Sequence, residues 1–157
     1  MRLALYEPDI PQNAGTLIRL GACLGVPVDI IEPCGFRWSD RDLKRAALDY
    51  GALADVTRHD SWAHFAAARP VPSRLVLLTT KSHKNFVDFR FDPADILLLG
   101  RESAGVPDEI HDAAAARLTV PMREGARSLN VALAAAMVLD EALRQTGAFA
   151  KPPPEGK

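Results

Sequence analysis

Short apolar runs alternate along the chain with longer segments in which apolar residues recur every three or four positions. The short runs predict β-strands, and they occupy residues 2–7, 26–33, 55–60, 74–80, 95–100 and 117–121. The longer segments predict helices, and they occupy residues 11–25, 39–51, 61–69, 106–116 and 128–147. This alternation is typical of an α/β fold, with a mainly parallel sheet flanked by helices.

Local signals mark where several of these helices begin and end. Pro11 stands near the start of the first helix and Gly25 at its end, which are the positions that these residues favour. Ser39 and Ser61 precede the second and third helices as side-chain caps, and Pro107 starts the fourth. The signals support the division of the chain into strand–helix units.

The last predicted helix follows a polar loop. Residues 122–127 include two arginines and a glycine, whereas Val131 to Leu139 are nine apolar residues in succession. A helix that is apolar nearly all round is buried on more than one side. One side is expected to pack on the sheet, and a second covering surface is required for the other.

The composition is that of an ordinary soluble globular protein. The 157 residues carry a formal net charge of −1, so a nucleic acid would have to bind a local basic patch. Cys23 and Cys34 form neither a disulfide framework nor a metal-ligand spacing, and we expect a reducing, cytoplasmic location. No apolar run approaches the ~18 residues of a membrane span. We expect one domain over residues 1–147 and a disordered, proline-rich tail over residues 148–157.

Several widespread site motifs are excluded. No G-x-G-x-x-G follows the first strand, so the dinucleotide fingerprint is missing. The segment GRESAGVP has glycines at P-loop spacing, but Val106 and Pro107 occupy the positions of the required Lys and Ser/Thr. Ser103 and Ser128 have no evident His/Asp partners for a hydrolase triad. The histidines are spaced poorly for a metal site and are expected at the surface or in hydrogen bonds; they are His59, His64, His83 and His111.

Three predicted strands end in loops rich in glycine, hydroxyl or charged residues. The segments are LLTTKS (residues 77–82), LLLGRESAGVP (97–107) and LTVPMREGARSLN (118–130). In open α/β sheets, ligands bind outside the carboxyl ends of the strands. Gly100 and Gly105 permit close backbone approach or a positive φ. The segments therefore form either a shared ligand site or ordinary strand–helix turns.

Taken together, these segments resemble the SPOUT-class RNA methyltransferases. The matching residues are LYEPDIPQNAGTLIRL (5–20), IIEPCGFRWSDRDLKRAALDY (30–50), LLTTKS, LLLGRESAGVP, and LTVPM with ARSLNVA. The chain is most similar to the tRNA (cytidine/uridine-2'-O-)-methyltransferases, which modify the wobble nucleotide. The resemblance implies an α/β sheet whose C-terminal part forms a deep trefoil knot, with S-adenosylmethionine bound among the knotted loops.

The resemblance also implies roles for individual residues. Cofactor contacts fall on Leu78, Thr79, Gly100, Glu102, Val120, Met122 and Ser128. Contacts with the tRNA fall on Asn13, Arg19, Arg101, Arg123 and Arg127, and Lys81 and Lys84 are further candidates for the RNA backbone. The catalytic candidates are Arg19, Ser128 and Asn130. No metal is expected.

The catalytic role of Arg19 depends on the chemistry of its guanidinium group. In related enzymes, the arginine of this motif is assigned to activation of the ribose 2'-hydroxyl. Arginine is a poor general base, because its pKa is above about 12. We therefore expect Arg19 to hold the adjacent phosphate and to stabilise a developing alkoxide. Ser128 and Asn130 would orient the ribose or the cofactor carboxylate.

Members of the family are homodimers whose site is built at the subunit interface. A second subunit is therefore the expected cover for the outer side of the last helix. Two other functions stay open, namely an RNA-binding dimer of the same fold without turnover, and a 2'-O-methyltransferase that acts on another RNA. A small target such as the tRNA anticodon loop is favoured, because the sequence adds no RNA-binding extension after the last helix.

Overall fold

The computed structural model describes residues 1–37 and 53–150. The helix predicted over residues 39–51, with its Ser39 cap, lies outside the described residues. So do residues 151–157, which form most of the predicted tail.

A parallel sheet forms the centre of the molecule. Its strands are β1 (Arg2–Tyr6), β2 (Val28–Ile31), β3 (Val56–His59), β4 (Leu75–Leu78), β5 (Ile96–Leu99) and β6 (Ala116–Leu118). They lie in the order β3-β2-β1-β5-β4-β6, and every pair is parallel. The predicted sheet is confirmed, and β1 to β5 fall within their predicted ranges. β6 begins at Ala116, one residue before the predicted strand, because the helix predicted over residues 106–116 ends earlier, at Ala113.

Four α-helices and one short 3-10 turn connect the strands in the described part of the chain. They are α1 (Pro11–Leu24), α2 (Trp62–Ala68), the 3-10 turn Phe86–Asp88, α3 (Asp108–Ala113) and α4 (Val131–Thr146). Gly25 ends α1 with a φ of 68°, and the Ser61 hydroxyl accepts the His64 N–H at 3.2 Å at the start of α2. These boundaries confirm the signals read from the sequence.

The core has two layers, one on each face of the sheet. Successive residues of β1 point to opposite faces. Leu3 and Leu5 join the cluster that includes residues of α1 and α4, whereas Ala4 and Tyr6 join the cluster that includes Phe65 of α2. Helices therefore cover both faces, which explains why the strands read as short, continuous apolar runs.

One face of α4 is buried and another apolar face is open. The buried face packs against α1 and β5 and consists of Ala132, Ala135, Val138, Leu139, Ala142 and Leu143. Leu133 and Met137 of α4 are 61% and 45% exposed, and Leu129, just before the helix, is 42% exposed. We call these three residues the α4 apolar stripe. The second covering surface that the sequence required is thus not supplied by the described residues of this chain. None of the described helices is long and apolar enough to cross a membrane.

A buried ionic cluster joins the first three strands. The Arg2 guanidinium donates to both Asp29 carboxylate oxygens, at 2.7 and 3.0 Å. His59 Nε2 lies 2.8 Å from Asp29 Oδ1, and the Asp29 side chain is only 5% exposed. The hydrogen bond with Asp29 raises the pKa of Arg2. We call these three residues the sheet cluster, because they tie β1, β2 and β3 together.

Candidate active site

A cavity of about 610 Å³ opens at the carboxyl ends of β4, β5 and β6. Its size is that of a small-molecule site. Residues of all three predicted strand-end loops line it, together with Asn13 of α1. The cofactor residues expected from the sequence that line it are Leu78, Thr79, Gly100, Glu102, Val120, Met122 and Ser128. Asn13, Arg101, Arg127 and Asn130 also line it, as does Lys81.

Backbone hydrogen bonds hold two of these loops side by side. The Thr79 N–H donates to the Leu118 carbonyl at 2.9 Å, which continues the pairing of β4 with β6. Beyond that point the Thr119 N–H donates to the Lys84 carbonyl at 2.9 Å. The two loops therefore leave the sheet as one paired unit, and this pairing sets the shape of one wall of the cavity.

The loop from Gly100 to Gly105 is closed by its own backbone. The Arg101 N–H donates to the Gly105 carbonyl at 3.0 Å, and the Gly105 N–H donates to the Arg101 carbonyl at 2.8 Å. A Cβ on Gly100 would lie 2.7 Å from the Gly105 carbonyl carbon, while Gly105 has a φ of 68°. The sequence suggested that these glycines let the loop approach a ligand. In the structure, Gly100 is needed for the approach of the loop to itself, and Gly105 for its left-handed turn.

An ordered chain of hydrogen bonds connects α4 to Glu102. The Asn130 Oδ1 accepts the Ala132 and Leu133 N–H groups at 2.9 and 3.3 Å, so its Nδ2 is left to donate to Asn13 Oδ1 at 2.9 Å. Asn13 Nδ2 then donates to Glu102 Oε1 at 2.9 Å. We call Asn130, Asn13 and Glu102 the asparagine relay. The N–H groups at the start of α4 dictate the orientation of both amides.

The relay changes the interpretation of two predicted site residues. Glu102 lines the cavity, but one carboxylate oxygen accepts from Asn13 and the other accepts the Asp9 N–H at 3.1 Å. Asn130 is an N-cap, which is why α4 begins at Val131 rather than at residue 128. Both side chains therefore position the walls of the cavity.

Asp9 supports the cavity wall through its contacts with Glu102 and Ser103, and sequence analysis did not identify it. Its carboxylate accepts the N–H groups of Glu102 and Ser103 at 3.1 and 3.3 Å and is also hydrogen bonded to the Ser103 hydroxyl. Ser103 thus has an acidic partner that is not evident in the sequence, because the β1–α1 loop brings Asp9 to it. The position of Asp9 just before Pro11, at the start of the first motif, was the available signal.

Arg101 is already engaged within the chain. Its guanidinium pairs with the Glu7 carboxylate and lies 5.8 Å from the centre of the Tyr6 ring. Glu7 is buried and has a φ of 44°. The positive charge of Arg101 is thus already paired with Glu7, which follows β1 at the rim of the cavity.

Three predicted RNA residues do not line the cavity, namely Arg19, Arg123 and Lys84. Arg19 is exposed on α1, whereas Asn13 on the same helix is buried. Six residues correspond to about 9 Å along a helix and to a different side of it. Arg123 begins an exposed turn, in which its carbonyl accepts the Ala126 N–H at 3.1 Å and Gly125 has a φ of 85°.

His111 is a second residue that sequence reasoning did not place in the site. It is 8% exposed, belongs to α3 and lines the cavity. His111 was expected at the surface or in a hydrogen bond, and sequence analysis did not assign it to the cavity wall. No local signal distinguishes it, because its neighbours Glu109 and Asp112 give the segment the composition of a solvated helix.

Comparison with known proteins identifies the family. The model of the SpoU rRNA Methylase family matches residues 1–140. The chain belongs to this family. A relative from Beijerinckia indica, named tRNA (cytidine(34)-2'-O)-methyltransferase, is 58% identical over 150 residues, which are 95% of this chain and 94% of the relative.

Solved structures of other proteins share the fold. One, described as giving structural insights into the 2-OH methylation of C/U34 on tRNA, has a TM-score of 0.85 and 42% identity, and covers 92% of this chain and 94% of its own. A SpoU methyltransferase from Streptomyces viridochromogenes in complex with AdoMet has a TM-score of 0.76 and 26% identity. That match covers 92% of this chain and 60% of the other. The chain is thus an α/β methyltransferase of the SpoU type.

Proposed function

We propose that the protein uses S-adenosylmethionine to methylate the ribose 2'-hydroxyl of the wobble nucleotide, cytidine or uridine, in the tRNA anticodon loop. The observation that carries the proposal is the convergence of the sequence motifs. Segments 5–20, 77–82, 97–107 and 118–130, which are far apart in the chain, each contribute residues to one cavity. The relatives that share these segments over more than nine-tenths of the chain bear the name of this activity.

The cavity fits the cofactor in both size and chemistry. Leu78, Leu99 and Val120 give it an apolar floor that suits an adenine ring, while Thr79 and Ser128 supply hydroxyl groups for the ribose or the amino-acid end. When bound, S-adenosylmethionine supplies a methyl group on a sulfonium, which is already activated towards a nucleophile. Backbone groups of Gly100 and Val120 complete the set of hydrogen-bonding partners that the family resemblance assigns to it.

The residues of the chain have to orient the ribose and stabilise charge. Attack forms a bond between the 2'-oxygen and the methyl carbon and breaks the bond from that carbon to sulfur, while the hydroxyl proton leaves to solvent or to a base. Ser128 would orient the ribose, and the relay through Asn130 would hold Ser128 in place. Arg19 would bind the adjacent phosphate and stabilise the developing alkoxide. Arg123 and Arg127 would contact the RNA from the loop beside them.

A homodimer explains why Arg19 lies outside the cavity of its own chain. Arg19 shares an exposed stripe of α1 with Gln12, Thr16 and Cys23. Because α1 packs against α4, a second copy that covers the α4 apolar stripe would also approach this part of α1. We propose that each subunit presents Arg19 to the cavity of the other.

The proposed fold includes the C-terminal trefoil knot. After β6, at the edge of the sheet, the chain pairs with residues 84–86 and then returns to pack α4 on α1 and β5. This return past β4 supports the proposed knot, in which the segment before α4 would pass through the loop between β4 and β5. We further propose a cytoplasmic protein that needs no metal. Within residues 1–37 and 53–150, no group of three or more metal-binding side chains is gathered.

The direct test compares tRNA from cells with and without the gene. Mass mapping should show that 2'-O-methylation at the wobble position disappears, and the purified protein with S-adenosylmethionine should restore it to that tRNA. Methylation restored to a different RNA alone would favour the alternative target. Tight RNA binding with neither cofactor binding nor methyl transfer would favour the non-catalytic dimer.

Arg19→Ala tests the assigned role of the arginine. Loss of one group that stabilises charge only in the transition state typically costs about 3 kcal/mol, or on the order of a hundredfold in rate. Single-turnover methylation should fall by this factor while cofactor affinity stays unchanged, and Arg19→Lys should recover part of the rate. A parallel fall in cofactor affinity would instead assign Arg19 to cofactor binding.

Leu133→Glu tests the dimer. The change buries a charge in the proposed contact, so light scattering should detect monomers. Val87→Glu is the matched control, because Val87 is a similarly exposed apolar residue, at 54% against 61% for Leu133, and lies outside α4. A wild-type monomer, or a dimer unaffected by Leu133→Glu, would contradict the proposal.

A further inference from the structure

A second depression, of about 450 Å³, lies beside the cavity along β6. Residues 114–116 form part of its lining, and the remaining lining residues are Lys81, Ser82, His83, Lys84 and Arg117. In a chain with a net charge of −1, two lysines, an arginine and a histidine around one depression are a local concentration of cationic and titratable groups. We call Lys81, His83, Lys84 and Arg117 the β6-edge strip.

The charges of the strip are exposed and available. All four side chains belong to exposed residues. Among residues 1–37 and 53–150, none of the four has a carboxylate partner within ion-pair distance. Arg58, at the middle of the opposite edge strand β3, differs in this respect, because it pairs with Glu32. The unpaired charges of the strip would bind an anion without first breaking an internal ion pair.

The backbone under the strip is held in place. The Ser82 hydroxyl donates to the Arg117 carbonyl at 2.7 Å and accepts the Lys84 N–H at 3.0 Å. The Lys84 ammonium lies 4.8 Å from the centre of the Phe89 ring, a cation–π contact that keeps its charge at the surface. The backbone that carries Lys84 and Arg117, and the Lys84 ammonium itself, are therefore held in place before any ligand arrives, which lowers the ordering cost of binding.

Lys81 connects the strip to the cavity, because it lines both depressions. A nucleotide with its ribose at the mouth of the cavity has a phosphate on either side, and the strand that continues from one of them would pass Lys81. We propose that the β6-edge strip binds the sugar–phosphate backbone of the RNA next to the methylated nucleotide. The inference rests on the proposed function and extends it by naming the surface that holds the substrate.

Protection of a sheet edge is the competing explanation. Among the described strands, β6 pairs with β4 alone, and charged residues on an edge strand discourage pairing with other chains. The two explanations differ in what the cations touch. Phosphate binding predicts salt-dependent affinity for RNA, whereas edge protection predicts self-association once the charges are removed.

The experiment uses the full-length protein, total tRNA from the deletion strain, and the variants Lys84→Gln and Arg117→Gln. Each change should weaken tRNA binding on the order of tenfold and reduce the slope of log affinity against log salt by about 0.7 to 1. Affinity for S-adenosylmethionine should not change. Arg58→Gln is the matched control, because it removes the same charge from the middle of the opposite edge strand, and it should leave the salt slope unchanged.

The outcomes are distinguishable from failure of the proposed function. Wild-type protein that methylates tRNA, with variants whose affinity and salt slope match it, would overturn the strip and leave the proposed function intact. Unchanged tRNA binding combined with larger assemblies by light scattering would assign the cations to edge protection. Wild-type protein that binds no tRNA would overturn both. Equal melting temperatures for the variants and the wild type would exclude unfolding as the cause of weaker binding.

Discussion

Asp29 and Glu102 are both carboxylates that accept hydrogen bonds from elements far apart in the sequence, yet they lie in different halves of the sheet. Asp29 joins β1, β2 and β3, and no member of the sheet cluster lines the cavity. Glu102 joins the loop after β5 to the loop before α1, and every member of the asparagine relay lines it. A buried polar cluster is therefore not by itself the mark of a site.

The two clusters differ in where their charges are satisfied. The sheet cluster is neutralised internally, because a guanidinium faces the carboxylate. The relay is directional and ends at the wall of an open cavity, so a change in it should alter the shape of that wall. We expect mutations in the sheet cluster to change stability alone, and mutations in the relay to change stability and ligand binding together.

The largest effect is expected from Asp29→Ala. Removing one partner of a buried ion pair leaves the others uncompensated, and the free energy of unfolding should fall by about 3–5 kcal/mol. Urea denaturation measures this loss. Calorimetry at low temperature should find unchanged cofactor affinity for the folded protein. Glu32→Gln, which breaks the exposed pair with Arg58, is the control and should cost less than about 1 kcal/mol. Weaker cofactor binding by Asp29→Ala would show that the sheet cluster affects the site as well as stability.

Asn130→Asp should have the next largest effect. Aspartate keeps the cap of α4, because its side chain still accepts the helix N–H groups. Asn13 would then lie between two carboxylates, and whichever way its amide turns, its oxygen faces one of them. We expect a loss of about 2–3 kcal/mol in unfolding free energy and on the order of tenfold in cofactor affinity, equivalent to about 1.4 kcal/mol.

Chemical denaturation and calorimetry on the same Asn130→Asp preparation measure both quantities. If Asn130 only caps α4, aspartate should be neutral or slightly stabilising, because a negative charge is favoured at a helix N-terminus. That result would show that the asparagine relay does not shape the cavity.

Gly105→Ala should lower the free energy of unfolding by less than the two changes above. It also distinguishes backbone strain from an effect on cofactor binding. Gly105 and Gly147 both have left-handed φ, of 68° and 65°, and a Cβ on either would meet no atom within 4 Å. Alanine at either position should therefore destabilise the fold equally, by about 1–2 kcal/mol. Only Gly105 lies in the cavity wall, so only Gly105→Ala should weaken cofactor binding. Equal affinities for the two variants would show that the 100–105 loop does not contact the cofactor.

The smallest effect is expected at Glu141, on the surface of α4. Hydrogen bonds from Arg144, and then from Gln145, lower the pKa of Glu141 to about 2. A lowered pKa means that its contribution to stability is present above the ordinary carboxyl pKa and is lost as the pH falls towards 2. Glu141→Gln should leave the melting temperature at neutral pH unchanged, because solvent screens an exposed pair. An NMR titration of the Glu141 carboxyl checks the pKa, and an ordinary value would show that the ion pair does not persist in solution.

The sequence predicted the elements because their signals are local. Apolar runs of the length of a strand, Pro11 and Gly25 around α1, and Ser61 before α2 all act within a few residues. The order of the strands has no such signal, because β5 lies between β1 and β4 only in space. The same reason explains the missed site residues. Asp9 and His111 reach the site through the packing of distant loops, and the motif resemblance supplied most of the others.

The roles of individual residues within the motifs also become evident only in the structure. The glycines at 100 and 105 were identified as special, but a sequence does not reveal that each serves the closure of its own loop. Likewise, the amides of Asn13 and Asn130 are oriented by the free N–H groups of α4, and this dependence links residues 117 positions apart. Arg19 remains a prediction, because its proposed place of action lies in a second copy of the chain.

The position of β1 in the sheet has a consequence for biosynthesis. Arg2 pairs with Ile96, so β1 acquires its second neighbour only after about 90 further residues have been made, and at roughly 5–20 residues per second this takes on the order of 5–20 s. Until then the nascent chain presents an apolar strand edge with unpaired amides. Release before β5 has been translated would leave the first three strands without the middle of their sheet. The first three strands therefore reach their final pairing only after synthesis has passed Leu99, about two-thirds of the way along the 157 residues, and folding is expected to be slow for a protein of this size.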